Sequence, residues 1–429
     1  MLDVRAIRED PESFRRALAR RNLADAVDRI LEADERRRTL TGRVEELRAA
    51  QNRASKAIGR AQGEEKRALI AEVGSVSAEL KRLEPELAAA AAALTTVLAE
   101  TPNVPHESAP DGMAEEDAVE LKLVGEPPAF GFEPRDHVAL GELLGVLDNE
   151  RGARTSGSRF VYLLGDLVFV QFALVRHALD LLVDKGFLPV MPPVLVREEA
   201  MYGTGFLPTD AVNLYVTSED DLYLVGTSEV PLAAYRMGEI VDEAELPLRY
   251  TACSTCFRRE AGTYGKDMGG MFRVHQFDKV EMFSFTTPEA SWEEHEFLLS
   301  IEEEIVQRLE IPYRVTNTAA GDLGPAAAKK YDIEAWLPGQ GRYRELTSCS
   351  NCTDYQARRL QTRLRRADGA VEPLHTLNGT ATAMSRTLIA IMENHQREDG
   401  SVALPAALHP YLPPSLHELS RRDGAGDRD

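Results

Sequence analysis

Residues 256–281 read CFRREAGTYGKDMGGMFRVHQFDKVE. Three arginines, two glutamates and a glycine-rich middle lie between apolar runs. An exposed loop has no need of apolar flanks, and a buried strand does not tolerate that much unpaired charge. The run TACSTCF leads in, and MFRVHQF followed by VEMFSF leads out, so the segment reads as a long hairpin turned by a loop with four glycines. Arg258 and Glu260, two residues apart as they leave the first strand, share a face, and Arg273 is placed on the returning strand. Phe277 and Glu281, four apart, share a face there too. Guanidinium suits phosphate, a ring suits a base and a carboxylate suits an amine, so this face fits a nucleotide. A surface ion-pair ladder across a hairpin carries the same pattern.

Other polar patches sit at the ends of apolar runs. GTSEVPL puts Thr227, Ser228 and Glu229 after LYLVG. YRELTSCSN puts Glu345 and Ser348 at a strand end, and LHTLNGTATAMSRT puts Asn378, Thr380 and Arg386 before a helix.

Upstream the periodicity is different. Leu40, Val44, Leu47, Gln51, Ala54 and Ile58 alternate in steps of four and three, and the pattern resumes from Leu69 to Val97 after the break AQGEE. Two heptad-striped helices joined by a short turn make an antiparallel hairpin. At about 35 residues each they are about 50 Å long, too long to lie against a body. Pro85 is a candidate bend in the second helix. From Arg43 to Arg67 the arm carries seven basic residues against four acids, in a chain of formal net charge −20. A mixed-charge solvated coiled-coil face and a polyanion contact both accommodate this.

The Pro-rich, acidic stretch TPNVPHESAPDGMAEED reads as a linker, and the segments beyond it mix strand and helix patterns: an α+β body of sheet flanked by helices. The expected domains are 1–103 and 104–429, with 418–429 a disordered tail. The bulk acidity argues against a generally basic nucleic-acid binder. The N-terminus has no apolar signal core, and the apolar run Val161–Val183 is broken by Asp166, Gln171, Arg176, His177 and Asp180, so it reads as a core or subunit-interface helix and not a membrane span. A cytoplasmic protein is expected. The four cysteines form two C-x-x-C pairs, Cys253/Cys256 and Cys349/Cys352, which strand alternation favours as buried thiols over a zinc site. His295 is expected on a solvated helix face.

The chain resembles the bacterial-type seryl-tRNA synthetases of class II nearly end to end. The resemblance lies in the arm, LGELLGVLDNERGARTSGSRF, the motif 1 region GFLPVMPPVLV, motif 2 in CFRREAG…FRVHQFDKVE and motif 3 in HTLNGTATAMSRT. YGTGFLP, KKYDIEAWLPGQ and ELTSCSNCTDYQARR match as well. It implies an antiparallel sheet flanked by helices behind a coiled-coil arm, and a homodimer built on motif 1. It implies ATP and Mg²⁺ as cofactors, with L-serine, tRNA(Ser) and also tRNA(Sec) as partners. Arg258 would bind the α-phosphate and steady the serine carboxylate, with Glu260 and Arg386 completing the catalytic set. Arg259, Glu260, Arg273 and Val274 would hold the nucleotide, and Phe277 would stack on adenine. The run Glu345, Leu346, Thr347, Ser348 would line the ATP, with Glu345 and Ser348 on magnesium and Arg386 on the γ-phosphate. Thr227, Ser228, Glu229, Arg258, Glu281, Asn378 and Thr380 would surround serine. Arg43, Arg48, Arg53, Lys56 and Arg60 would meet tRNA. The sequence departs from its relatives in the loop KDMGGMF, where a basic residue is common near Gly269. A paralogue serving antibiotic biosynthesis or resistance would carry the same motifs, whereas a non-catalytic tRNA binder has no need of Arg258, Glu260, Glu281, Glu345 and Arg386 together.

Overall fold

The structure is a computed structural model that describes residues 1–261 and 269–421. It divides into two compact units, Met1–Val104 and Pro105–Asp429.

In the first unit, α1 (Ala26–Ile58) and α2 (Gly63–Glu100) pack antiparallel along the heptad stripe. Val44, Leu47, Leu80 and Leu83 are buried between them. α2 runs through Pro85 without interruption. Toward the tip the stripe is less covered, and Ile70 is exposed. Arg43 reaches Glu79 at 2.9 Å and Arg48 reaches Glu84 at 2.8 Å, so both guanidiniums tie the two helices together.

The second unit is built on one eight-stranded sheet. Its elements in chain order are β1 (Val119–Val124), α3 (Asp166–Asp184), β2 (Leu188–Val190), α4 (Glu229–Ala234), β3 (Leu248–Phe257), β4 (Gln276–Thr286), α5 (Ser291–Arg308), β5 (Tyr313–Asn317), β6 (Lys329–Leu337), β7 (Arg342–Asn351), β8 (His375–Ala383) and α6 (Met384–Asn394). The strand order is β1-β5-β6-β7-β8-β4-β3-β2, antiparallel throughout except for β2 beside β3. Val280 and Met282 of β4, and Leu377 and Ala381 of β8, point into the main core with Leu174 of α3, Leu298 and Ile305 of α5 and Leu388 of α6. The other face holds a second core around Tyr250, Phe283, Phe285, Leu232 and Leu360. Because alternate residues point to opposite faces, β4 sends Phe277, Lys279 and Glu281 to the side opposite Val280 and Met282.

Several expectations are corrected. β4 begins only at Gln276, so Arg273 lies in the irregular segment before the strand. Glu345 and Ser348 are inside β7, not at its end. Glu418–Leu419 is no disordered tail: it pairs as a strand with Val402–Ala403, while 422–429 lie outside the described residues. His295 is fully buried on α5, stacked on Tyr331 with its Nε2 on the Cys349 carbonyl at 3.1 Å, so the expected solvated face is wrong. The charged residues around it, WEEHEF, conceal the helix face from a reading of composition alone. None of the four cysteines is in a disulfide; three are buried and Cys253 is half-buried, on β3 and on or just beyond β7.

Candidate active site

A cleft of about 410 Å³ opens over β4, β7 and β8. It is lined by Arg258, Glu260, Arg273, Val274 and Phe277 of the hairpin, by Glu345, Leu346, Thr347 and Ser348 of β7, and by Asn378, Thr380 and Arg386 of β8 and α6. Thr227, Glu229 and Glu281 close its other end. Arg259 and Ser228 are not among the lining residues. Arg259 stands 5.9 Å from the Tyr215 ring, and the Ser228 hydroxyl is 2.6 Å from that of Ser254.

Two irregularities in the ladder arrange these side chains. The β4–β8 register slips between Val280 and Glu281, so Glu281 faces Thr380 instead of Ala381. The β6–β7 register slips between Ile333 and Glu334, so Glu334 faces Glu345. Each bulge re-aims a polar side chain at the cleft without breaking the sheet.

At one end the charges pair. Arg273 Nη1 donates to Glu260 Oε2 at 2.5 Å, and Glu260 sits at a positive φ of 50° just past β3. Arg258 Nε donates to the Gly226 carbonyl at 3.1 Å, and its guanidinium carbon lies 5.3 Å from the Phe277 ring. Arg386, in the first turn of α6, donates to the Glu345 carbonyl at 3.0 Å and faces the Glu345 carboxylate at 3.4 Å. Burial would push the Glu345 carboxyl up, but Arg386, Lys330 and Arg258 hold it well below the usual range.

The segment between loop and strand is fixed from below. Met271 N donates to His137 Nε2 at 3.3 Å, which leaves Nδ1 to donate to the buried Glu393 carboxylate at 3.1 Å. Phe272 then lies under two guanidiniums, Arg344 at 3.9 Å and Arg386 at 4.9 Å. The residues 262–268, including the first three of the KDMGGMF departure, lie outside the described residues.

At the other end sits a buried acidic pocket. Gln356 and Asn378 both donate to Glu229 Oε1, at 2.7 and 3.0 Å. Burial, then the neighbouring Glu281, push the Glu229 carboxyl up to about 7. Between Glu281, Thr227 and Thr380 lies Lys279, which the sequence reading missed. Its ammonium is ion-paired with Glu281, donates to Thr227 Oγ1 at 2.7 Å and reaches Thr380 Oγ1 at 3.4 Å. Glu302 was missed as well. It is buried on α5 beneath Gly379, where a Cβ would stand 2.9 Å from Glu302 Oε1, and it accepts from Thr347 at 3.0 Å. Burial pushes its carboxyl well above the usual range. The sequence carried one signal for Lys279: it stands two residues before Glu281 on a strand, and so on the same face.

A sheet of this order carrying paired arginines on a cleft defines a class II aminoacyl-tRNA synthetase core. A model of that core domain, for the G, H, P, S and T enzymes, matches residues 214–395. A model of the seryl-tRNA synthetase N-terminal domain matches residues 1–105. The chain belongs to the seryl-tRNA synthetase family. It is 50% identical over 424 residues to the serine–tRNA ligase of Thermobifida fusca, covering 98% of this chain and 100% of that one. To that of Acidothermus cellulolyticus it is 52% identical, covering 96% and 98%. A crystal structure of seryl-tRNA synthetase from Pyrococcus horikoshii complexed with ATP superposes with a TM-score of 0.93 at 43% identity, over 99% of this chain and 100% of that one. One from Naegleria fowleri, in complex with AMP, gives 0.88 at 37% identity over 99% of each chain. No helix among the described residues is long and apolar enough to cross a membrane.

Proposed function

We propose that this cleft activates L-serine with ATP and passes the seryl group to tRNA(Ser), with tRNA(Sec) a second acceptor. The observation that carries the reading is that one cleft joins an arginine-bearing end, Arg258, Arg273 and Arg386, to a buried acidic end, Glu229 and Glu281. Adenine stacks on Phe277 and ATP lies along Glu345–Ser348. A serine carboxylate oxygen attacks the α-phosphorus in line, and pyrophosphate leaves. Arg258 and Arg386 meet the negative charge on the phosphates, so positioning and electrostatics supply the rate without a covalent nucleophile. Glu345, held ionised, and the Ser348 hydroxyl offer the hard oxygen donors that magnesium takes. When bound there, magnesium would neutralise phosphate charge. Glu229 takes the serine ammonium. In the second half-reaction the ribose hydroxyl of the tRNA 3′ end attacks the seryl carbonyl, and AMP leaves.

The arm is assigned to tRNA. Arg53, Lys56 and Arg60 are exposed and make no ion pair among the described residues, whereas Arg43 and Arg48 are occupied by Glu79 and Glu84. We place the enzyme in the cytoplasm, with tRNA and ATP, as a homodimer. Phe172 and Met191, 64% and 90% exposed, lie on α3 and just after β2 and provide an apolar face for the second copy. Pyrophosphate exchange with each amino acid, followed by charging of total tRNA, tests the reading. Serine alone should support exchange, and serine-accepting tRNA alone should be charged. Exchange driven by another amino acid would overturn it.

A further inference from the structure

We propose that Lys279 determines the amino-acid specificity of the pocket: its ammonium fixes Glu281 as a hydrogen-bond acceptor, so that the pocket selects a side chain that can donate. This rests on the reading of Glu281 and Thr380 as the groups that meet the serine side chain.

The hydrogen bonds leave little freedom. An ammonium has three protons, and Lys279 directs them at Glu281, Thr227 Oγ1 and Thr380 Oγ1. Thr227 Oγ1 also accepts the Glu229 N–H at 3.1 Å, so its oxygen is engaged twice within the protein. Thr380 accepts from Lys279 and keeps its proton for the cleft. A serine hydroxyl between the two would donate to Glu281 and accept from Thr380. Alanine would leave both unpaired in a buried pocket, the arrangement that rejects an analogue most strongly.

The scheme works only while Glu281 is a carboxylate. Lys279 and Glu281 are 6% and 1% exposed. Around them stand Glu229 from α4, Arg258 at the end of β3, Glu302 from α5 on the far side of the sheet, and the buried Cys256 thiol of β3. Burial pushes Glu281 up, and Lys279 is the foremost group opposing it, ahead of Arg258. Without the ammonium, a protonated Glu281 would offer a proton where the ligand needs an acceptor.

The test is the ratio of kcat/KM for serine to that for alanine in pyrophosphate exchange, measured from pH 6.5 to 8.5. Both substrates carry the same ammonium, so titration at Glu229 cancels in the ratio. The wild type should give a high, flat ratio. Lys279→Met should lower it by about tenfold or more, with the greatest loss at the acid end of the range. Lys279→Met with Glu281→Gln should give a low, flat ratio. Lys279→Gln, which keeps a hydrogen-bonding head without the charge, should repeat the pH-dependent ratio and replaces Lys279→Met if that variant does not fold. A flat, wild-type ratio in the Lys279 variants overturns the proposal, as does an equal, pH-independent loss for both amino acids, which is a structural role. Glu281→Gln alone with an unchanged ratio would instead overturn the pocket reading on which the proposal rests.

Discussion

Glu229 is the residue whose ionisation is poised where the enzyme works. Its carboxyl is pushed up to about 7, so at pH 6 it is mostly protonated and at pH 8 mostly ionised. An ammonium ligand is held by the ionised form. The kcat/KM for serine in pyrophosphate exchange should therefore rise about tenfold from pH 6 to pH 8, and Glu229→Gln should be slower and lose most of that rise. The same rise in the variant would place the titration elsewhere. His295 makes the opposite kind of prediction. Its buried ring is pushed down to about 4 by desolvation, from an ordinary value of 6.5. The folded state resists a proton that the unfolded state accepts, so this stabilisation is complete above pH 6.5 and is lost as pH falls toward 4, by about 3 kcal/mol at most. Urea unfolding of wild type and His295→Phe at pH 7 and pH 4.5 should show the wild type losing more stability on acidification. Equal losses would mean that His295 does not titrate. That Arg258, Glu260, Arg273, Phe277 and Arg386 belong together was legible, because they stand in long, specific strings, and they line one cleft. Lys279, His295 and Glu302 were not. Each is a polar residue whose role depends on burial, and burial comes from the packing of elements distant in sequence.

The arm was the most legible element, since a heptad stripe over more than thirty residues leaves few alternatives. What its spacing left open was which cations are free. Arg43 and Arg48 are paired across the hairpin at 2.9 and 2.8 Å, while Arg53, Lys56 and Arg60 stand exposed nearer the tip. Reversing these three to glutamate should lower tRNA charging by about 100-fold at moderate salt and flatten its salt dependence, because fewer counterions are released. Serine-dependent pyrophosphate exchange should be unchanged. Loss of both activities would mean that the arm supports the fold of the second unit. The strands were less legible than the arm. Apolar alternation located β3 and β4, but the register slips at Val280/Glu281 and Ile333/Glu334 leave no trace in the pattern, and these set which polar groups meet in the cleft.

For the whole molecule, the apolar run that reads as an interface helix is half covered. Leu167, Val170, Leu174 and Leu182 of α3 are buried, while Phe169 and Phe172 are exposed. A dimer that buries this face predicts sedimentation at twice the 47.4 kDa chain mass at micromolar concentration, and dissociation by Phe172→Glu. A wild-type monomer would contradict it. The assignment of the cleft to adenylate formation is tested most directly by the crystal structure of the protein with a non-hydrolysable seryl-adenylate analogue. The expected result has the adenine on Phe277, the phosphate mimic within hydrogen-bond reach of Arg258, the ammonium on Glu229, and the serine hydroxyl between Glu281 and Thr380. An analogue bound outside the cleft, or bound with its serine hydroxyl touching neither Glu281 nor Thr380, would contradict it.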